Sequence, residues 1–183
     1  MTGSELHSRD FAMRVTPAQL FEYLETLAIT TETLEHPPMY TVEDSKRLRG
    51  ELPGAHIKNL FIKDKKGALF LISAMETTQI NLKTIHETIG GQGRVTFCSA
   101  EVLGEVLGVE PGSVTPFAVI NDREKRVKVV LDERLLAHER INVHPLVNTM
   151  TTGIQRDDLI RFLTVTGHDP LIVQVGTLPE GAA

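Results

Sequence analysis

Apolar residues recur at two spacings along this chain, and the two spacings separate its predicted helices from its predicted strands. A helical stripe, Leu20–Leu27, follows the segment Thr16-Pro17-Ala18-Gln19. That segment combines a hydroxyl N-cap, a proline at the first helical position and a glutamine that completes a capping box. Helical spacing returns over Leu82–Ile89 and Ser99–Leu107, and a glycine ends each of these stretches. We therefore predict three amphipathic helices that cover a core.

Two apolar runs in the middle of the chain predict a β-hairpin. Leu60–Ile62 and Ala68–Ser73 read as strands, and Asp64-Lys65-Lys66-Gly67 between them has the composition of a turn. This is the clearest hairpin in the sequence.

The remaining elements are shorter and alternate irregularly between strand and helix. We predict helices over Thr41–Arg49, Asp132–His138 and Asp157–Thr166, a buried strand Val114–Ile120 joined through the turn Asn121-Asp122 to a partner strand Val127–Leu131, and a last strand Leu171–Val175. Mixed strands and helices without strict alternation predict the α+β class, with a mixed β-sheet packed by helices. No linker or repeat divides the chain, so we expect one domain over residues 1–183, with residues 1–15 a poorly ordered or peripheral N-terminus.

Composition narrows the possible functions. The chain has 183 residues, 41% of them hydrophobic, and a formal net charge of −5, as in ordinary globular proteins. Its one cysteine, Cys98, excludes internal disulfides and cysteine-cluster metal sites, and its histidines lack metal-ligand spacing. Phosphate-loop and dinucleotide motifs are absent as well. We expect no metal or cofactor, no membrane segment and a cytoplasmic location.

Positive charge is concentrated in one region. Between Lys46 and Lys66 the chain has seven basic residues and two acidic ones, an excess of 7 − 2 = +5. Such a patch suits phosphate contacts, with Lys63, Lys65 and Lys66 nearest the hairpin turn. A solvated hairpin with lysines protecting a strand edge is the alternative.

Lys58 is the most unusual of these basic residues. Strand alternation places it on one face with Leu60 and Ile62, and places Asn59 and Phe61 on the other. An ammonium group among apolar neighbours needs a charged or hydrogen-bonding partner, which a ligand phosphate, carboxylate or developing oxyanion would supply. A strand-end lysine that extends to solvent is the alternative.

Two loops carry further candidate chemistry. In Pro111–Phe117, two prolines and a glycine bracket small hydroxyl residues, so this stiff turn can present N–H groups to a ligand oxygen; a plain turn is the alternative. In His144–Asn148 the imidazole precedes a proline, which favours an extended backbone.

Several segments together resemble the PrdX (ProXp-ala) family, freestanding homologues of the editing insertion domain of bacterial prolyl-tRNA synthetase within the YbaK/EbsC-like superfamily. The match is collinear and spans roughly residues 36–170. It rests on His36-Pro37-Pro38, Gly54–Gly67, Leu107–Phe117, Asn121-Asp122 and His144–Asn148. The resemblance implies a single domain with the fold of the YbaK and prolyl-tRNA synthetase editing domains.

The resemblance also implies an activity, the hydrolysis of alanine mischarged onto the tRNA for proline. Lys58 matches the signature lysine of the family's active site, and we expect it to anchor the terminal adenosine phosphate or polarise the site. Water would attack the ester directly, with loop N–H groups stabilising the oxyanion and the terminal ribose hydroxyl helping to activate the water. The expected substrate-binding residues are Asn59, Gly112, Ser113, Val114, Thr115, Pro116 and His144, the last for positioning more than as a base.

The expected partners are the mischarged tRNA and prolyl-tRNA synthetase, with Lys63, Lys65 and Lys66 on the tRNA backbone. Two alternatives stay open at this point. One is the removal of cysteine, serine or another small amino acid from tRNA. The other is a noncatalytic module that binds an aminoacyl-tRNA or a synthetase.

Overall fold

A computed structural model describes residues 14–38 and 52–179 of the chain. The helices in these ranges are α1 (Pro17–Thr26), α2 (Ile85–Ile89), α3 (Ala100–Leu107) and α4 (Arg156–Val165), together with two 3-10 helices, Pro116–Asn121 and Glu133–Ala137. The strands are β1 (Thr31–Glu35), β2 (Ala55–Lys63), β3 (Leu69–Met75), β4 (Thr96–Phe97), β5 (Val127–Asp132), β6 (Arg140–Val143), β7 (Met150–Gln155) and β8 (Leu171–Val173).

The strands form one mixed sheet. Its order is β1-β7-β6-β2-β3-β5-β8, and β4 pairs with one end of β2. The β2–β3 pair is antiparallel, whereas β3–β5, β5–β8 and β2–β6 are parallel. A mixed sheet packed by helices in one domain confirms the predicted α+β class.

The sheet separates two apolar clusters because successive side chains on a strand point to opposite faces. The larger cluster holds Phe61 and Leu71 and is covered by α1, α3 and α4. The smaller one holds Ile62 and Ile72 and is covered by α2. Of the helices in the described ranges, none is both long enough and apolar enough to cross a membrane.

The predicted helix boundaries hold where their capping residues were recognised. Thr16 accepts a hydrogen bond from the N–H of Gln19, and the Gln19 side chain accepts one from the N–H of Thr16, which completes the capping box of α1. Ser99 caps α3, and Gly108 ends that helix with a φ of 64°. The β2–β3 hairpin is also confirmed, with strands longer than predicted.

One predicted strand is wrong. Val114–Ile120 is an irregular turn followed by the 3-10 helix, because Pro116 occupies the first turn of that helix and Thr115 caps it. The run is apolar because its residues Phe117–Val119 are buried, and burial alone does not distinguish a strand from a short helix. Its supposed partner strand, β5, pairs in parallel with β3 instead.

Four strands were missed, namely β1, β4, β6 and β7. They are short, and their apolar residues do not alternate over enough positions to mark a strand. The predicted helix Thr41–Arg49, with three of the seven basic residues of the positive region, lies outside the described residues, as do residues 1–13 of the predicted peripheral N-terminus.

Candidate functional site

The middle of β2 forms an open edge of the sheet. One edge of β2 pairs with β3 throughout Ile57–Lys63. The other edge pairs with β6 only at Ala55 and His56 and with β4 only at Ile62 and Lys63. Within the described ranges no strand fills the interval between β6 and β4. The main-chain oxygen of Phe61 accepts a 3.0 Å hydrogen bond from the N–H of Cys98, just beyond β4. We call the remaining interval, residues 57–60, the opening, and side chains from both faces of the sheet flank it.

Lys58 flanks the opening on the face of the smaller apolar cluster. It lies opposite Ala74 of β3, and its Nζ donates a hydrogen bond to the main-chain oxygen of Thr78. The Thr78 hydroxyl in turn donates to Oδ2 of the fully buried Asp132 at 3.0 Å. Lys58 is half-buried, and within residues 14–38 and 52–179 its Nζ has no second hydrogen-bond partner, so two further N–H bonds can reach a ligand.

Asn59 flanks the opening on the other face. Its Nδ2 donates to the main-chain oxygen of Val114 at 3.0 Å. Its Oδ1 accepts a 2.6 Å hydrogen bond from the hydroxyl of Ser73, the residue directly opposite on β3. Asn59 therefore attaches the loop Gly112–Pro116 to the centre of the sheet.

That loop has a fixed backbone. Gly112 has a φ of 90°, a conformation that side-chain-bearing residues rarely adopt. Ser113 donates its N–H to the oxygen of Glu110 at 3.0 Å, and the Thr115 hydroxyl accepts from the N–H of Phe117 at 3.4 Å. In the part of the chain that the structure describes, the N–H groups of Val114 and Thr115 have no hydrogen-bond partner.

The segment that begins with His144 lies beside this loop. A Cβ added to Gly112 would lie 3.7 Å from Nδ2 of Asn148, so the two segments are neighbours. His144 follows β6 and donates from Nδ1 to the main-chain oxygen of Met150 at 3.0 Å. Its Nε2 then carries the lone pair of the neutral ring.

The environment of His144 favours its neutral form. Burial lowers the pKa of His144, and the nearby His36 lowers it further, against a smaller opposing effect of the hydrogen bond to Met150. His36 is itself held by Pro37 and Thr151, to which its two ring nitrogens are hydrogen-bonded at 2.8 and 2.9 Å. A neutral imidazole with an accepting Nε2 suits the positioning of water or a ribose hydroxyl.

The hairpin turn carries the lysines expected to contact tRNA. Asp64 organises this turn, because its carboxylate accepts hydrogen bonds from the N–H groups of Lys66, Ala68 and Gln92 at 2.7–2.9 Å. These bonds, the one from Gln92 first, lower the pKa of Asp64. The side chains of Lys63, Lys65 and Lys66 are exposed. Lys63 lies four residues beyond Asn59 on the same face, or about 13 Å along the strand.

The structure thus brings together three of the predicted parts: Asn59, the loop Gly112–Pro116 and the His144 segment. Lys58 flanks the same opening from the opposite face, and the hairpin lysines lie farther along the strand. Ser73 was missed by sequence reasoning, although its signal was present: a serine that ends an apolar strand run and lies opposite Asn59 once the turn fixes the register. Among the described residues no three His, Cys, Asp or Glu side chains are grouped as metal ligands.

Comparison with known proteins places these features in a family. The model of the aminoacyl-tRNA editing domain matches residues 36–162. A mouse protein, prolyl-tRNA synthetase associated domain-containing protein 1, is 38% identical over 94% of this chain and 98% of its own length. The prolyl-tRNA editing protein ProX of Acetoanaerobium sticklandii is 34% identical over 79% of this chain and 88% of its own.

A solved structure shows the same fold. A provisionally assigned trans-editing enzyme for prolyl tRNA synthetase aligns with a TM-score of 0.66 and 19% identity, over 88% of this chain and 97% of that one. At this identity the likeness concerns the fold alone.

Proposed function

The chain belongs to the aminoacyl-tRNA editing domain family, and from this membership we propose that it is a deacylase that hydrolyses alanine mischarged onto the tRNA for proline. The proposal includes a cytoplasmic location and prolyl-tRNA synthetase as a functional partner. It excludes a metal or cofactor. A relative whose name describes prolyl-tRNA editing supports the choice of tRNA.

The hydrogen bond from Asn59 to Val114 is the observation that carries the proposal. It holds the loop next to the opening in the sheet, where an ester carbonyl can lie against the N–H of the half-buried Val114, which has no hydrogen-bond partner among the described residues; the Thr115 N–H is fully buried. Donors that are fixed before the substrate arrives stabilise a developing oxyanion without having to reorient during the reaction.

The reaction we propose is a direct attack of water on the ester. The water oxygen forms a bond to the carbonyl carbon, and the negative charge that develops on the carbonyl oxygen is held by the N–H group of Val114. The bond to the ribose oxygen then breaks, and that oxygen takes the proton that the attacking water loses. The products are free alanine and the deacylated tRNA. The terminal ribose hydroxyl helps to activate the water.

Lys58 and His144 have different roles in this scheme. Lys58 uses its two free N–H bonds to hold the phosphate of the terminal adenosine or to polarise the site, from the face opposite the loop. His144 is kept neutral by its lowered pKa and accepts a hydrogen bond at Nε2 from the water or the ribose. Ser113 and Pro116 border the space for the amino acid side chain.

A separate editing site is physically required for alanine. A synthetase pocket shaped for proline excludes a smaller side chain only because that side chain packs less well, a difference worth about 1–3 kcal/mol. That difference corresponds to about 10- to 200-fold discrimination, which leaves frequent errors for a second, hydrolytic site to remove.

A deacylation assay on purified protein tests the proposal. The substrates are the tRNA for proline charged with alanine, proline, cysteine or serine, with and without a metal chelator. We expect the alanyl ester to be hydrolysed fastest and the chelator to have no effect. Equal rates on alanyl and prolyl esters, or loss of activity in chelator, would contradict the proposal.

The same assay separates the two alternatives. Faster release of cysteine or serine than of alanine would indicate an editing deacylase of different specificity. Tight binding of the aminoacyl-tRNA without hydrolysis of any ester would indicate a noncatalytic binding module.

A further inference from the structure

Ser73 is a buried hydroxyl residue in a strand whose other described residues are all apolar. It ends the run Leu69–Ile72 and has no exposed surface. Its hydroxyl makes a 2.6 Å hydrogen bond to the Asn59 amide. A buried hydroxyl is unfavourable unless its hydrogen bond is made, so its place in the sheet depends on Asn59.

The two hydrogen bonds of Asn59 determine its orientation. If the amide were rotated by half a turn, Oδ1 would face the oxygen of Val114, and two acceptors would meet without a proton between them. In the observed orientation Nδ2 donates to Val114 and Oδ1 accepts from the Ser73 hydroxyl. Ser73 therefore stabilises the one amide orientation that can hold the loop.

Holding the Val114 carbonyl also fixes the position of the accessible part of the loop. The peptide unit between Val114 and Thr115 is planar and trans, so the N–H of Thr115 points away from Asn59, and Thr115 is fully buried. Val114 is half-buried, and its N–H has no hydrogen-bond partner among the described residues. The Val114 N–H is therefore the donor of this pair that a ligand can reach.

We propose that Ser73 is a positioning residue for the editing reaction: through Asn59 it holds the Val114 carbonyl, and so sets the position of the Val114 N–H and the strength of the oxyanion site. The inference rests on the proposed deacylase function and adds a residue that does not touch the substrate. In this series of hydrogen bonds, Asn59 holds the loop in addition to any contact that it makes with the substrate.

Without the Ser73 hydroxyl, the Asn59 amide loses the partner that fixes its rotation, and the loop carbonyl loses a firmly held donor. Misplacement of a reacting group by about 1 Å can lower a rate by about 100-fold. A partial loss of positioning should cost about 10-fold in kcat, while KM, which depends on contacts along the tRNA, changes by less than about 2-fold.

The test measures kcat and KM on alanyl- and prolyl-tRNA for Ser73→Ala, Asn59→Ala and the double variant. If Ser73 acts through Asn59, the double variant is no slower than Asn59→Ala alone, whereas independent roles would multiply the two losses. Ser73→Thr keeps a hydroxyl and should restore most of the kcat. Thr33→Val, which removes a hydroxyl pair with Thr152 on the edge strand β1, is the matched control and should leave kcat unchanged.

A second readout does not depend on activity. The amide resonance of Val114 in the free protein should move in Ser73→Ala and stay in place in Thr33→Val. An unchanged kcat and an unmoved Val114 resonance in Ser73→Ala would overturn the inference, as would losses that multiply in the double variant. Inactive wild-type protein would instead contradict the proposed deacylase function itself.

Discussion

The two faces of β2 at the opening are built differently. On one face Asn59 belongs to a chain of hydrogen bonds that runs from Ser73 to the loop at Val114. On the other face Lys58 donates one hydrogen bond, to a main-chain oxygen, and its two other N–H bonds have no partner among the residues that the structure describes. The first arrangement fixes geometry before a ligand binds, and the second leaves a charge available for one.

This difference suggests that the adjacent residues Lys58 and Asn59 have separate functions. Because neighbouring residues on a strand point to opposite faces, two different functions can be placed within one residue of each other at the same edge. A ligand in the opening reaches a positioned donor loop from one side and a cation from the other. Perturbing the two faces separately should therefore give different kinetic signatures.

Removal of the cation is expected to have the largest effect. Lys58→Ala should fold normally and lose about 100-fold or more of its deacylation rate, as expected when a charge that stabilises the transition state is removed. Lys58→Arg should recover little, because a broad planar guanidinium does not fit the space of an ammonium. Lys128→Ala, which removes an exposed lysine on β5, is the control.

Two results would contradict this role of Lys58. Substantial activity in Lys58→Arg would show that charge alone suffices. A large drop in the melting temperature of Lys58→Ala would show that the hydrogen bond to Thr78 is structural.

A change in the loop backbone is expected to have the next largest effect. At Gly112 a Cβ meets only Asn148 at 3.7 Å, so Gly112→Ala introduces strain through its φ of 90° and not through a clash. We expect a cost of about 1–2 kcal/mol in stability and about a 10-fold loss of kcat. Gly90→Ala, with a φ of 73° and open space around it, should show the stability loss without the loss of kcat.

Replacing His144 should alter the pH dependence of activity by a few-fold. Its pKa lies below the ordinary value of about 6.5, so the ring stays neutral as the pH falls through that value, and activity should fall only at lower pH. His144→Gln should lose this acid inflection in a plot of kcat against pH. Persistence of the same inflection in the variant would assign it to another group.

The same lowered pKa of His144 determines how folding stability depends on pH. Because the folded-state pKa of His144 is lower than the unfolded one, the unfolded chain binds more protons as the pH falls below about 6.5, and stability falls with it. Denaturant midpoints measured between pH 5 and 8 in wild-type protein and His144→Gln check this.

The hairpin lysines should affect binding weakly and uniformly. Replacing Lys63, Lys65 and Lys66 with alanine should weaken binding across tRNA sequences and lower the salt slope of binding by about 0.7–0.9 for each phosphate that is no longer neutralised. Filter binding at several salt concentrations measures that slope. An unchanged slope would mean that the hairpin is only a solvated surface.

The smallest effect on activity is expected at the buried pair Asp122–His168, which makes no hydrogen bond to the loop Gly112–Pro116 among the described residues. Asp122 accepts a 3.1 Å hydrogen bond from His168 and a 2.8 Å bond from the N–H of Val127. Asp122→Asn should cost about 1–3 kcal/mol in stability and leave the ratio of alanyl to prolyl hydrolysis unchanged. A changed ratio would mean that this pair also shapes the site.

Acid should destabilise this pair as well. Burial alone would raise the pKa of Asp122, but hydrogen bonds from His168 and from main-chain N–H groups lower it overall. A lowered folded-state pKa adds stability above the ordinary value of about 3.9, and that stability is lost as the pH falls through the folded-state pKa.

Local signals in the sequence predicted the parts of the fold that local interactions determine. The capping box at Thr16, the glycine that ends α3 and the turn at Asp64 each act within a few residues, and each was recognised. Strand β1 pairs with β7 and strand β6 pairs with β2, in each case across a long stretch of sequence, and no local pattern records such pairing. Val114–Ile120 was wrongly predicted as a strand because its apolar residues are buried as part of a 3-10 helix.

The candidate site divides in the same way. Alternation correctly placed Lys58 and Asn59 on opposite faces of β2. The hydrogen bond to Val114 joins residues 55 positions apart, and the opening exists only because β6 and β4 pair with the two ends of β2. Both depend on tertiary structure, so sequence reasoning could not supply them.

The central claim is that the alanyl group binds at the opening against the loop Gly112–Pro116. Titration with adenosine carrying alanine through a 3′-amide, which is not hydrolysed, tests this by NMR. We predict saturable shifts of the Val114 and Thr115 amides and of the Asn59 side-chain amide, weaker for the prolyl analogue, with Lys128 unaffected. Shifts that leave the loop unchanged, or equal binding of both analogues, would contradict the claim.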